Sequence, residues 1–304
     1  MLSKQSFARL CCIYSGITFG IYWIPLRAME TTGLSGSWSI LLFTLMPAIL
    51  ILPVFLYRIK IYFREPLRFH GTTLLIGLGY VMYAGAFLYT EVIRVIVMFY
   101  LMPIWGFLLG RIFLGEQISP VRWISMAFGA LGLAVICDIT AGFPFPSNTG
   151  DWMALVAGFI WANAAILLLT GKSRPQEYTI GFLLWASIIA GCLVAYGISA
   201  GFEEVLPEVL LTTKLWWLIP FAIIVLLPAA YATMFGPTQL SPGIVGLLYM
   251  TEISIATVTA ALFAGETFAT KELIGVILIT FAGIAEPVYE RCKPTTRIKI
   301  TEHS

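Results

Sequence analysis

The sequence has few charges, only two histidines and no cysteine motif. Charged residues make up 11% of its 304 residues, whereas 59% are hydrophobic. Soluble domains carry about 25% charged residues, so the composition excludes a soluble globular domain. The five cysteines are scattered without the spacing of a metal site or of a disulfide framework. We therefore expect an integral membrane protein without a bound metal.

Motifs of nucleotide-driven and catalytic proteins are also missing. The sequence contains no GxxxxGK[ST] segment, which excludes a P-loop and with it ATP as the driving force. His70 and His303 lie at loop or tail positions, so no nucleophile and base can be assembled into an enzyme site. We expect a non-enzymatic protein with no cofactor, no nucleotide and no nucleic acid as partner. Its expected partners are a small-molecule solute and the lipid bilayer, and the monomer is expected to be functional.

Apolar runs of about 20 residues, long enough to cross a bilayer as a helix, fill nearly the whole chain. The first run continues past the length of a signal peptide and has no cleavage site, so it is interpreted as a span. The sequence thus predicts an all-α integral membrane protein with ten transmembrane helices. The predicted spans lie near residues 6–27, 37–57, 71–90, 93–113, 121–139, 152–171, 178–200, 214–235, 242–263 and 272–289.

Basic residues are distributed unevenly over the loops between these spans. With a cytoplasmic N-terminus, 14 of the 18 Lys and Arg fall inside, and only Arg27, Arg94, Lys214 and Lys271 fall outside. Short basic loops stay in the cytoplasm, so both termini are predicted to be cytoplasmic in a multi-pass protein of the cell (inner) membrane. The inside group is Lys4, Arg9, Arg58, Lys60, Arg64, Arg68, Arg111, Arg122, Lys172, Arg174, Arg291, Lys293, Arg297 and Lys299.

Two stretches 150 positions apart share one design. Residues 99–118 and 249–268 are each a long apolar run followed by a Gly-Glu pair, which begins at Gly115 and at Gly265. Internal similarity of this kind indicates a duplicated unit. Each half then holds five spans, an odd number, so the second half inserts upside down. Inverted repeats place a substrate site near the bilayer midplane, where the repeats meet.

The boundary between the halves falls in a segment rich in Pro, Gly and Ser, a composition typical of a loop. We expect a central cavity between the two repeats. The predicted parts are a first five-helix repeat at 1–140, an outer linker at 141–150, a second inverted repeat at 151–290 and a cytoplasmic basic tail at 291–304.

Glu252 lies in the middle of the predicted ninth span, far from either end. An ionisable group at that depth is unfavourable unless it is neutral, paired or hydrated, which makes it a candidate for function. Three roles stay open. The carboxyl group could exchange a proton that couples transport to a gradient, pair with a substrate ammonium, or tie helices together while it stays protonated.

Other polar side chains in the spans are ambiguous. Tyr14, Thr18 and Tyr22 follow at intervals of four, so they share one face of the first helix and either pack against neighbours or line a cavity. Asn163 is the only asparagine in a predicted span. Because a buried amide needs partners, it is either a clasp between helices or a substrate contact.

These features resemble the EamA-type transporters of the drug/metabolite transporter superfamily. The resemblance rests on ten spans in two inverted repeats, on Pro103 and the Leu-Gly-Glu motif at 114–116, and on the Ala-Gly-Glu motif at 264–266. The second copy departs from the pattern, because Glu-Ile at 252–253 stands in the place of the proline.

Within the superfamily, the segments FYLMP at 99–103 and FIWA at 159–162 are similar to the aromatic amino-acid exporters of the YddG type. The resemblance implies a secondary transporter that exports amino acids, above all aromatic or hydrophobic ones, or related small metabolites, by alternating access. A multidrug or small-metabolite exporter of the same superfamily is the alternative. A membrane-embedded channel or receptor subunit is a further one.

The resemblance also implies where the substrate binds. It places Tyr80, Tyr100 and Trp161 around the central cavity, with Met102 where an aromatic side chain is expected. Aromatic walls with a few polar groups suit a solute that has an apolar body and a charged head. The predicted substrate-binding residues are Tyr80, Tyr83, Tyr100, Trp161, Asn163, Tyr231 and Glu252.

Overall fold

A computed structural model of the chain describes residues 3–34, 36–90, 92–115, 120–136, 146–205, 207–263 and 270–292. Within these ranges the chain is helical and forms no β-strand. Several predicted features lie outside the described residues. They are the glutamates of both Gly-Glu pairs, the first half of the linker at 141–150 and nearly all of the tail at 291–304.

Fourteen α-helices make up the described part of the chain. The first seven are α1 (Lys4–Gly20), α2 (Trp23–Glu30), α3 (Gly36–Tyr62), α4 (Leu67–Ala86), α5 (Val92–Phe99), α6 (Met102–Leu114) and α7 (Pro120–Ile136). The others are α8 (Thr149–Leu169), α9 (Pro175–Ser199), α10 (Leu218–Phe221), α11 (Leu227–Phe235), α12 (Pro242–Tyr249), α13 (Thr251–Phe263) and α14 (Thr270–Cys292). A π-helical turn, Ala222–Leu226, joins α10 to α11.

Among the described residues, six helical segments are long and apolar enough to cross a membrane. They are Lys4–Met29, Gly36–Tyr62, Thr149–Leu169, Pro175–Ser199, Leu218–Thr238 and Pro242–Thr259, with shorter apolar helices at Met102–Leu114, Trp123–Val135 and Leu273–Ala282. Large apolar side chains such as Leu56, Ile112 and Ile224 point outward. Hydrocarbon tails solvate such a surface, whereas water does not. The prediction of an all-α, multi-pass membrane protein is thus confirmed, and the number of ten spans stays a prediction.

Two of the predicted spans are broken near their middle. The span at 93–113 consists of α5 and α6, which separate after Phe99, and the span at 242–263 consists of α12 and α13, which separate at Met250. Pro103 predicts a bend in the first of these spans, whereas the apolar run at 242–263 gives no hint of its break. The breaks lie at matching positions of the two similar stretches.

Proline chemistry explains the first break. Pro103 has no N–H group, so it cannot donate to the carbonyl of Phe99 four residues earlier. That carbonyl oxygen lies against α8 at Gly158, where a Cβ atom would come within 2.5 Å of it. Glycine is needed at this position because any side chain would push the broken segment away from α8.

Helices α1 and α8 are the two around which other helices pack. Helix α1 contacts α11, α12 and α13, while α8 contacts α4, α5 and α6. Helix α6 packs on α12, α3 on α9, and α7 on α14. Small residues allow the closest of these approaches, since a Cβ atom on Gly20 of α1 would lie 2.7 Å from the Ile255 Cβ of α13. Both helix breaks therefore lie inside the bundle, between α1 and α8.

Candidate functional site

The carboxyl group of Glu252 is buried at the start of α13, with 4% of the residue exposed. Two tyrosine hydroxyls from the other half of the chain reach it. Tyr83 of α4 donates to Oε1, and the hydroxyl of Tyr100, at the break between α5 and α6, lies 2.6 Å from Oε2. Both tyrosines are themselves buried. The carboxyl group thus joins the two halves of the chain inside the bundle.

The break between α12 and α13 supplies a further polar atom to this group. The N–H of Ile253 donates to the carbonyl of Met250 at 3.0 Å, one residue later than in a regular helix. The carbonyl oxygen of Tyr249 is then free to accept from outside the helix, and the hydroxyl of Tyr100 lies 2.8 Å from it. We call Tyr83, Tyr100, Tyr249 and Glu252 the carboxyl cluster.

A second pair of phenols joins Tyr80, on the same helix α4 as Tyr83, to Tyr22, which lies between α1 and α2. The hydroxyls of Tyr22 and Tyr80 are 2.7 Å apart, and both residues are buried. The ring of Tyr22 packs edge-on against Phe43 at 4.8 Å, and that of Tyr80 against Phe182 at 5.4 Å. These four rings and Thr18 line a narrow cleft of about 30 Å³. The cleft has aromatic walls with two hydroxyls directed toward each other.

Five of the seven predicted site residues lie in or beside the carboxyl cluster and the aromatic cleft. Tyr83, Tyr100 and Glu252 belong to the carboxyl cluster, and Tyr80 belongs to the aromatic cleft. Trp161 of α8 is buried, and its ring meets that of Tyr249 at 6.5 Å. It therefore borders the carboxyl cluster without a hydrogen bond to it.

Asn163 and Tyr231 lie apart from these groups. The amide of Asn163 donates to the carbonyl of Phe159 one turn earlier in α8, at 2.8 Å, and the residue is only half-buried. Tyr231 is also half-buried, and its ring stacks on Phe235 at 5.9 Å. A contact of either residue with substrate stays a prediction.

Two members of the site were absent from the predicted set. Tyr22 had a signal in the sequence, because it shares a helix face with Thr18, and both residues line the aromatic cleft. Tyr14 belongs to the same sequence pattern, but it is 37% exposed and does not line the cleft. Tyr249 had no such signal, because its contribution is a backbone carbonyl that becomes available only where the helix breaks.

Buried ion pairs fix the helices at their ends. Asp151 at the start of α8 is fully buried and accepts from Arg94 of α5, whose Nε lies 3.1 Å from Oδ1. Glu177 in α9 is 1% exposed and accepts from Arg58 of α3, whose Nε lies 2.7 Å from Oε1. No group of three or more His, Cys, Asp or Glu side chains in the described ranges could hold a metal ion.

Solved structures and sequence relatives resemble this chain. One crystal structure superposes with a TM-score of 0.73 over 95% of this chain and 100% of its own, at 19% identity, which indicates the same fold. The riboflavin transporter of Rhizobium johnstonii is 31% identical over 33% of this chain and 32% of its own length. The chloramphenicol-sensitive protein RarD of Pseudomonas aeruginosa is 24% identical over 83% of this chain and 71% of its own.

The threonine/homoserine exporter RhtA of Salmonella typhimurium is 25% identical over 58% of this chain and 57% of its own. The matches thus span about a third of the riboflavin transporter and little more than half of RhtA. Residues 6–137 match the EamA-like transporter family. The match covers less than half of the chain, so the first half resembles the EamA-like transporters, and these relatives are themselves transport proteins or a drug-sensitivity protein by name.

Proposed function

We propose that the protein is a secondary transporter that exports a small organic solute, an amino acid or a related metabolite, by alternating access. The observation that carries this proposal is the carboxyl cluster, in which a buried carboxyl group sits where two broken helices meet. Broken helices at the centre of a bundle are a recurrent way to build transporter sites. In this proposal the protein is a carrier and not an enzyme, and one chain suffices.

The packing of the helices supports two inverted five-helix repeats. Helix α1 contacts α11, α12 and α13 in the same way that α8 contacts α4, α5 and α6. If the two sets of helices are exchanged, α3 corresponds to α9 and α7 corresponds to α14. Helix α3 contacts α9, and α7 contacts α14. Such a pattern fits a pseudo-two-fold axis through the contact between α6 and α12. Rocking of one repeat against the other is the motion that this arrangement favours.

Hydrogen-bond counting favours a protonated Glu252. The hydroxyl of Tyr100 has one proton but lies within 2.8 Å of two oxygens, the Tyr249 carbonyl and Oε2 of Glu252. If the carboxyl group is ionised, the single Tyr100 proton can serve only one of these two oxygens, and the other faces the Tyr100 oxygen without a hydrogen bond. If Oε2 carries a proton, it donates to Tyr100, Tyr100 donates to Tyr249, and each oxygen is satisfied. Loss of that proton would disrupt the cluster, which is how export could be coupled to a proton gradient.

The proposed substrate is an aromatic or hydrophobic amino acid. The aromatic cleft and the neighbouring Trp161 offer rings for an apolar body, and the phenol hydroxyls offer contacts for a charged head. The cleft measures about 30 Å³, whereas small-molecule sites measure roughly 300 Å³ or more. Solute binding therefore requires the helices around the cleft to move apart, as alternating access demands.

Flux measurements with the purified protein in proteoliposomes test this proposal. The solute panel contains aromatic amino acids together with threonine, homoserine, riboflavin and chloramphenicol, which the names of the relatives suggest. We expect flux of at least one aromatic or hydrophobic amino acid above that of protein-free vesicles. Flux of riboflavin or chloramphenicol alone would assign the protein to the multidrug or metabolite exporters, and no flux of any solute would contradict a transport function.

A further inference from the structure

A second and larger cavity lies far from the carboxyl cluster, at one end of the bundle. It measures about 520 Å³ and opens where α3 and α8 end and where α4 and α9 begin. Its charged lining consists of Arg58, Glu65, Arg68, Lys172, Arg174 and Glu177. We call it the basic cleft. Its volume falls within the range of roughly 300–1,000 Å³ that is typical of small-molecule sites.

The charges of the basic cleft are unbalanced. Four cationic side chains face two carboxylates, which leaves a net charge of +2. Arg58 is bonded to Glu177, and Arg68 donates to the hydroxyl of Thr170. Lys172 and Arg174 are exposed and form no side-chain hydrogen bond or ion pair with the described residues. The cleft therefore has two cationic groups available for an anion.

The wall of the cleft also contains an acceptor without a donor. Oε1 of Glu177 accepts from Arg58, whereas Oε2 is buried and has no hydrogen-bond partner in the part of the chain that the structure describes. Buried polar groups are almost always hydrogen-bonded. A small shift of the Glu177 carboxyl group toward the cleft would bring Oε2 within reach of an occupant that carries a hydroxyl or ammonium group beside its anionic group.

The start of each flanking helix reinforces the preference for an anion. Helix α4 begins after Pro66 and α9 begins after Arg174, and neither has a side chain that caps its first N–H groups. Unsatisfied N–H groups and the positive end of the helix dipole both favour a negative charge. Pro66 and Arg174 line the cleft, so both helix starts face the same space.

The surface beside the cleft is apolar. Ile61 lines the cleft and is 47% exposed, and Phe63 and Leu67 in the adjoining turn are 70% and 87% exposed. A charged cleft bordered by exposed apolar side chains matches a molecule with a charged head and hydrocarbon chains. Clusters of basic residues at the end of transmembrane helices are a known form of lipid recognition.

We propose that the basic cleft binds the headgroup of a phospholipid. The phosphodiester pairs with Lys172 and Arg174, and a hydroxyl or ammonium group of the headgroup donates to Oε2 of Glu177. The acyl chains lie over Ile61 and its apolar neighbours. This site is separate from the transport site, and the inference does not depend on the proposed substrate.

Native mass spectrometry of the detergent-solubilised protein tests the proposal. Phosphatidylglycerol and phosphatidylethanolamine carry a donor in the headgroup and are expected to bind more tightly than phosphatidylcholine, which has none. The double variant Lys172→Ala, Arg174→Ala is expected to weaken phosphatidylglycerol binding about tenfold or more, since each basic residue contributes about 1 kcal/mol to attraction of anionic lipid. The matched control is Lys60→Ala, Arg64→Ala, which removes two exposed charges outside the cleft lining.

Three results would overturn the proposal. An equal loss of lipid in the control variant would mean that general surface charge attracts the lipid. Displacement of phosphatidylglycerol by millimolar inorganic phosphate or glycerol phosphate would assign the cleft to a soluble anion. Equal binding of phosphatidylcholine and phosphatidylglycerol would show that the cleft does not recognise the lipid headgroup. Circular dichroism of each variant shows whether the fold is retained, and changes at these exposed positions are expected to retain it.

Discussion

Glu252 is held by hydrogen bonds that a glutamine side chain could reproduce. The amide of Glu252→Gln can accept from Tyr83 and donate toward Tyr100, which imitates a protonated carboxyl group. Under proton coupling, we expect this variant to keep solute exchange but to lose proton-driven accumulation and its pH dependence. Both are measured in proteoliposomes with and without an imposed pH gradient.

The matched control for this experiment is Glu208→Gln, which makes the same change at an exposed carboxyl group. It should behave as the parent protein in both assays. Full pH-dependent accumulation by Glu252→Gln would exclude the coupling role and leave facilitated diffusion. Failure of exchange itself would instead indicate that a carboxylate pairs with the substrate ammonium.

The Tyr100 hydroxyl also has a consequence for stability. In Tyr100→Phe, the Tyr249 carbonyl and one oxygen of Glu252 lose their buried partner. An unsatisfied buried polar group costs about 1–3 kcal/mol, so we expect the free energy of unfolding in detergent to fall by about that amount. Tyr57→Phe removes a hydroxyl from a residue that is 88% exposed, and it should change stability by less than about 0.5 kcal/mol. Equal stability of the two variants would mean that the carboxyl cluster does not stabilise the fold.

At the scale of elements, the break between α5 and α6 depends on close contact with α8. In Gly158→Ala, the new Cβ atom would lie 2.5 Å from the carbonyl oxygen of Phe99 and 3.2 Å from its carbonyl carbon. Backbone atoms cannot turn aside as a flexible side chain can, so the broken segment must shift. We expect a loss of about 1–3 kcal/mol in the free energy of unfolding, and a smaller rate of transport because Tyr100 moves with the segment.

Gly71→Ala is the control for this prediction. Gly71 lies inside helix α4, and an added Cβ atom would meet nothing within 4 Å. Alanine is the better helix former, so this variant should be unchanged or more stable by up to about 1 kcal/mol. Denaturant unfolding of both variants in one detergent gives the comparison. A neutral Gly158→Ala would show that α8 does not constrain the break.

At the scale of the whole molecule, the orientation in the membrane is open to a direct test. The basic residues predict that the segments around Asn148 and Glu204 lie outside and those around Arg64 and Arg174 lie inside. Single cysteines at these four positions, in a background without the natural cysteines, are labelled with a membrane-impermeant reagent in intact cells. We expect modification at positions 148 and 204 only. Modification at positions 64 and 174 instead would reverse the orientation.

The sequence determined the class of the protein and much of its candidate site. An apolar fraction of 59% with only 11% charged residues is far from the composition of soluble domains, and the repeated stretches resembled the EamA-type transporters, whose family model matches residues 6–137. Glu252 was recognisable because a carboxyl group is unfavourable in an apolar span. Tyr83 and Tyr100, both in the predicted set, turned out to be its hydrogen-bond partners.

Only the tertiary structure decided which groups meet. The break at Met250 has no proline to announce it, so neither the freed carbonyl of Tyr249 nor its bond with Tyr100 could be foreseen from composition or periodicity. Asn163 and Tyr231 looked equivalent to the other candidates in the sequence. In the structure, Asn163 donates to the Phe159 carbonyl of its own helix and Tyr231 stacks on Phe235. Periodicity along one helix fixes which residues share a face. The partners of that face lie 58 residues away for Tyr22 and Tyr80 and 169 residues away for Tyr83 and Glu252, and their choice depends on how the helices pack.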